Sequence, residues 1–239
     1  MMVHVRIDDL AQPLDSTILK EVTDIYAGIG ITLDLQFGSF IKEELEIHGN
    51  IQITTLSSKF DAEDQRLAES AVRQLWQTPP GAKRAEADRV VANTISILKN
   101  PDVWGYTAGL HLNDPLRSPI LIKAPPDDWP QNKLFTEAYD NSLESNKARD
   151  IYYYTDVIAH EIGHTFGLNH NNNPLDLMYD PPPGQQKKDQ LMEEILNEAP
   201  NDDLVKWRDW VKNELASRKR HFSEADAKTA RDTIHKFVK

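Results

Sequence analysis

Residues 160–170 read His160-Glu161-Ile162-Gly163-His164-Thr165-Phe166-Gly167-Leu168-Asn169-His170. The pattern from Tyr152 to Phe166 predicts a helix, and His160 and His164 stand four apart in it. That spacing puts both imidazoles on one face, one turn apart. Gly167 ends the helix, because a residue without Cβ can take φ > 0 and turn the chain sharply. His170 can then approach from the other side. Three imidazoles bind one Zn2+ at about 2.0–2.1 Å and leave a fourth position for water, which is the pattern of a catalytic rather than a closed structural site. Glu161 follows the first ligand and points away from it. It is therefore placed to take a proton from zinc-bound water attacking a carbonyl, and then to protonate the leaving amine. Three His, one Glu and one Gly at this spacing arise by chance with a probability on the order of 10⁻⁴ or less at ordinary residue frequencies. The plainer alternatives are a helix with incidental histidines or a purely structural zinc.

Upstream, Met2 to Ile7 alternate as a half-buried strand. Asp15 or Ser16 caps a helix with the stripe Leu19, Val22, Ile25 and Tyr26, which Gly28 and Gly30 end. Ile31, Leu33, Leu35 and Phe37 alternate again, so the segment predicts a parallel β-α-β unit with a right-handed crossover. Ile47 to Leu56 is a third strand. Residues 58–103 are helical, divided by the TPPG at 78–81. Short strands follow at Tyr106–Leu112 and Pro119–Lys123, then a Pro- and Asp-rich loop at 124–130. Downstream of His170 comes a turn-rich stretch with prolines at 181–183, then helices over about 187–198, 203–219 and 223–238. Leu204, Trp207, Val211 and Leu215 form a core stripe of the middle one. Phe222-Ser223 with Asp226 resembles a staple and capping box, with Asp in place of Glu or Gln. The whole is a mixed α/β protein whose helices interrupt a small sheet.

Composition limits the functions available. The chain has 239 residues and no apolar run of the ~18 needed for a membrane span. A net charge of −11 disfavours a broad electrostatic grip on nucleic acid. The absence of cysteine excludes disulfides, thiolate zinc sites and cysteine nucleophiles. No secretory signal pattern opens the sequence. The expected location is therefore the cytoplasm, or outside the cell by a dedicated, non-classical export route.

HEIGHTFGLNH resembles the zinc-binding motif of the metzincin metalloproteases, and Leu177-Met178-Tyr179, eight positions after His170, resembles their Met-turn. The wording LMY and its spacing are most similar to the matrixin branch. The resemblance implies a single α+β catalytic domain with a small twisted mixed sheet of about five strands, an active-site helix and a C-terminal helix. It also implies that Met178 forms an apolar floor under the imidazoles rather than a ligand. By the same resemblance Tyr106–Leu112 is an edge strand along which an extended peptide adds as a further strand. Gly109, Leu110 and His111 on it, with Tyr179, are the candidate substrate contacts. A hydrogen-bonded strand histidine is the alternative for His111, and core packing is the alternative for Tyr179.

The upper part of the domain is expected at about 1–167 and the lower part at about 168–239. The helical blocks 58–103 and 181–221 look like insertions. Departures from the family pattern are the missing cysteine, which makes a cysteine switch impossible, and Asp180 where some metzincins carry a tyrosine. One catalytic zinc is the cofactor assigned; no clear ligand set for structural calcium is recognisable, and calcium is left open. The expected function is a zinc endopeptidase acting on protein or peptide, with an inhibitor or delivery machinery as further partner classes. A zinc-stabilised binding module with a covered cleft, or a zinc amidase acting on a small or cell-wall amide, are the alternatives.

Overall fold

The computed structural model describes residues 2–8, 13–41, 44, 50–75, 82–108, 118–126, 132–139, 141–173, 175–180, 190–200, 203–218 and 220–237. β1 (Met2–Asp8), α1 (Ser16–Gly28) and β2 (Thr32–Phe37) form the expected β-α-β unit, with Val3 beside Leu33 and Val5 beside Leu35 in parallel register. Asp15 caps α1 by accepting the Thr17 N–H at 2.8 Å. Gly30 leaves the helix at φ 78°. β3 (Asn50–Leu56) pairs with the other side of β1, again in parallel. It is buried at every position, as a strand covered on both faces must be.

The sheet order is β2-β1-β3-β5-β4, with β5 at Ile120–Lys123 and β4 at Gly105–Thr107. β4 is antiparallel to β5 and stands at the edge. Helices α2 (Ala62–Leu75) and α3 (Ala82–Leu98) enclose a small core of Phe60, Ala68, Val72, Val91, Leu98 and Leu121. Buried Lys123 crowns the end of α3, donating to Leu98 O at 3.1 Å and Asn100 O at 2.7 Å. Loss of hydration pushes its ammonium below the usual lysine range, and the nearby Asp102 charge favours the ammonium in return.

The larger core joins Val3, Ile53, Ile158 and Ile234, and so draws on the whole length of the chain. Its spine is α5 (Ser142–Thr165), packed against α1. The Tyr26 hydroxyl of α1 donates to Ala159 O of α5 at 2.7 Å, and the Tyr26 and Phe166 rings meet edge-on at 5.5 Å. α6 (Gln190–Glu198), α7 (Leu204–Ser217) and α8 (Glu224–Phe237) complete the fold.

Three expectations need correction. The helix carrying His160 begins at Ser142, ten residues before Tyr152, and Asn141 caps it. Its first half is mostly polar and exposed, so it carries no apolar stripe to read. The short helix α4 (Asn132–Ala138) was not anticipated. Leu204, placed on a core stripe, is 63% exposed, because α7 turns its apolar side inward only from Trp207 onward. The loop at 127–130, prolines 181–183 and the continuation of the β4 strand through 109–112 lie outside the described residues. Among the described residues no helix is long and apolar enough to cross a membrane.

Candidate metal centre

The last turns of α5 and the chain just beyond them build the site. Gly167 has φ 81°, as the turn requires. The Leu168 N–H donates to Gly163 O at 3.1 Å and the Gly167 N–H to His164 O at 3.0 Å. This pair of bonds closes the helix in a Schellman motif and reverses the chain. His170 therefore comes back over α5. Its Nε2 lies 3.1 Å from His160 Nε2 and 3.0 Å from His164 Nε2.

The outer ring nitrogens fix which protons are present. His160 Nδ1 donates to Leu177 O at 2.8 Å and His164 Nδ1 to Leu168 O at 2.9 Å, since a carbonyl can only accept. His170 Nδ1 lies 3.2 Å from an Asp180 carboxylate oxygen. Each neutral imidazole then directs its Nε2 lone pair at a common point. Lone pairs crowd one another unless a cation sits among them. Tetrahedral ligands at about 2.0–2.1 Å from zinc would stand roughly 3.3 Å apart, close to the spacing observed. The three histidines fit a zinc ion.

Met178, which follows the Leu177 that holds His160, is fully buried, its N–H bound to an Asp176 carboxylate oxygen at 2.8 Å. A Cβ on Gly163 would come within 2.6 Å of Met178 Sδ, so the glycine is what lets the turn press against α5. Asp176, 2% exposed, spends its other oxygen on the Ser223 N–H at 3.0 Å. The capping box at α8 is accordingly only half formed. The Ser223 hydroxyl accepts the Asp226 N–H, but the Ser223 N–H goes to the turn. Burial, and secondarily Asp176 nearby, raises the Asp226 carboxyl above its usual range.

Glu161 is 5% exposed and faces β4. The Thr107 hydroxyl stands 2.6 Å from Glu161 Oε2 and 3.0 Å from Glu161 O. A Cβ on Gly105 would fall 2.6 Å from Glu161 Oε1. A cleft of about 420 Å³ runs between β4 and the histidines, lined also by Trp104, Tyr179 and Arg220. The structure thus brings together His160, Glu161, His164, Gly167, His170, Met178 and Tyr179. Gly109, Leu110 and His111 lie outside the described residues. Sequence reading missed Gly105, Thr107, Gly163 and Asp176. Only Asp180, noted as a departure from the family, carried a local hint.

Fold and histidine geometry together define a metzincin-like zinc metallopeptidase. The matrixin family model matches residues 58–197, more than half of the chain, and the chain belongs to that family. Among solved structures, archaemetzincin from Methanopyrus kandleri aligns over 98% of this chain and 96% of its own at 11% identity, with a TM-score of 0.36. A zinc-dependent peptidase from Methanocorpusculum labreanum covers 95% of this chain and 99% of its own at 14% identity, with a TM-score of 0.38. No curated protein matches.

Proposed function

We propose that this metallopeptidase is an endopeptidase in which His160, His164 and His170 hold zinc and Glu161 moves the protons. The observation that carries the reading is the joint placement of three convergent imidazoles and one shielded carboxylate at a cleft beside an edge strand. Zinc, when bound, supplies the Lewis acidity that acidifies a water and polarises the scissile carbonyl. Glu161 takes the proton of the attacking water and delivers it to the leaving nitrogen. Thr107 and the close approach of Gly105 hold its carboxylate on the cleft side. Leu177 O, Leu168 O and Asp180 fix the three imidazoles by their outer nitrogens, while Gly167 and Met178 set the turn and the floor. β4 offers its edge to an extended peptide, with Tyr179 lining the same cleft; Gly109, Leu110 and His111 are the further substrate contacts assigned from the sequence. A core spanning Val3 to Ile234 supports one catalytic domain over 1–239, with 58–103 and 181–221 as helical elaborations.

Glu161→Gln is the direct test. The variant is expected to bind one equivalent of zinc by elemental analysis and to fold as the parent does. It should lose cleavage of an unstructured protein such as casein by about 10²–10⁴-fold, the usual worth of positioned acid–base catalysis. Full activity in a zinc-loaded Glu161→Gln protein would refute the role.

A further inference from the structure

The three imidazoles of the metal centre are not held alike. His160 and His164 sit one turn apart on α5, and their outer nitrogens donate to main-chain carbonyls, Leu177 O at 2.8 Å and Leu168 O at 2.9 Å. No side-chain substitution removes a main-chain carbonyl. His170 stands beyond Gly167, outside the helix, and is the most exposed of the three. Its outer nitrogen, Nδ1, lies 3.2 Å from a carboxylate oxygen of Asp180. The backbone brings the two residues side by side. Asn171, which follows His170, donates its N–H to Met178 O at 2.9 Å and accepts the Asp180 N–H on its own carbonyl at 3.2 Å. These bonds form a parallel bridge between Asn171 and Tyr179. Asp180 also lines the catalytic cleft.

We propose that Asp180 is a positioning residue whose carboxylate aims the most exposed ligand at the metal and sets how tightly zinc is retained; this rests on the reading of His160, His164 and His170 as the zinc ligands. Two physical effects act together. A carboxylate that accepts from Nδ1–H fixes the tautomer, with the proton outside and the lone pair on Nε2, and it holds the ring against rotation. It also makes the imidazole a more basic donor, and its negative charge partly balances a dication among neutral rings. A main-chain carbonyl supplies the first effect but carries no net charge. Asp180 is therefore the point at which one side chain governs the hold on the metal.

The test is the affinity of the whole chain for zinc itself, read by competition with a chromophoric chelator, so it needs no peptide substrate. Asp180→Ala should bind zinc about 10–100-fold more weakly than the parent, the usual worth of an outer partner. Asp180→Asn keeps an acceptor for the imidazole N–H and loses the charge, so its affinity should fall between the two. Asp102→Asn removes another carboxylate of the same cleft and should leave the affinity as it was. Cobalt(II) supplies a spectroscopic readout. The visible absorption bands of the cobalt-loaded parent should shift in Asp180→Ala and return most of the way in Asp180→Asn. The zinc-free proteins should unfold alike, because the bond from the Asp180 N–H to Asn171 O belongs to the main chain. Parental affinity in Asp180→Ala overturns the proposal, and parental affinity in Asp180→Asn overturns the part assigned to charge. An equal loss in Asp102→Asn also overturns it, since the effect would then be one of overall charge. Asp180→Asn carries the test if Asp180→Ala does not fold. A parent that binds no zinc overturns the ligand reading itself, whereas a zinc-binding parent with unaltered variants overturns only the role of Asp180.

Discussion

The two halves of α5 answer to different demands. From Tyr153 onward nearly every residue is buried, and even its glycine is fitted to a neighbour. From Ser142 to Tyr152 the helix is exposed or half-buried, touching the core through Ala148, Ile151 and Tyr152, and its Asn141 cap and the Lys147–Asp15 ion pair at 2.8 Å help to hold it. One continuous helix thus has a half specified by packing and a half specified by solvation and local bonds. Substitutions in the first case should reach the chemistry. In the second they should reach only stability.

The largest effect after loss of Glu161 itself is expected from β4, which faces the buried half. Gly105→Ala should displace the Glu161 carboxylate and lower kcat about 10²-fold, within the range of positioned acid–base catalysis, with zinc content unchanged. Thr107→Val should lower kcat about tenfold more than it raises KM, and Thr107→Ser should restore most of it, because a hydroxyl in hydrogen-bond reach is what acts. Equal rates in Gly105→Ala and parent would break the link between strand and base.

Gly163→Ala sets two effects against each other. Alanine gains about 1 kcal/mol of helix propensity. Overpacking a filled site costs about 1–3 kcal/mol. Because Met178 Sδ would lie 2.6 Å from the new methyl and Met178 is fully buried, the net change should be a destabilisation of about 1–2 kcal/mol in denaturant unfolding. A stabilised variant would mean that the turn yields.

In the solvated half, Asn141→Ala should cost about 1 kcal/mol of stability through the lost cap and leave kcat/KM as it was. Any kinetic change there would blur the contrast. The smallest effect concerns pH. The hydrogen bond from Lys147, aided by the Thr17 N–H, holds the Asp15 carboxyl at about 2, below its ordinary 3.8. A depressed folded value means that the stabilisation is present above about 3.8 and is lost as pH falls toward 2. Lys147→Met should flatten the stability profile in that window and nowhere else, as read by thermal unfolding.

The same contrast explains what could be read without coordinates. The β-α-β unit was legible because its faces alternate in burial, and the metal triad because its spacing is itself geometry. The first half of α5 was not, since a polar helix held by a cap and an ion pair has no apolar period. Thr107 and Glu161 meet across 54 positions, and no local pattern encodes such a meeting. Asp176 was hidden for the same reason. Its two oxygens serve the backbones of Met178 and Ser223, and a carboxylate in a turn-rich stretch looks like an ordinary turn residue.

That double use of Asp176 has a consequence for biosynthesis. The Leu177 N–H also binds His221 O at 3.0 Å, so the turn is moored to residues 221–223. A ribosome that has released His170 and Met178 has not yet supplied those anchors. The turn that carries Met178 therefore gains its mooring only after translation has passed Ser223, so docking of the last helix should be the step that fixes it.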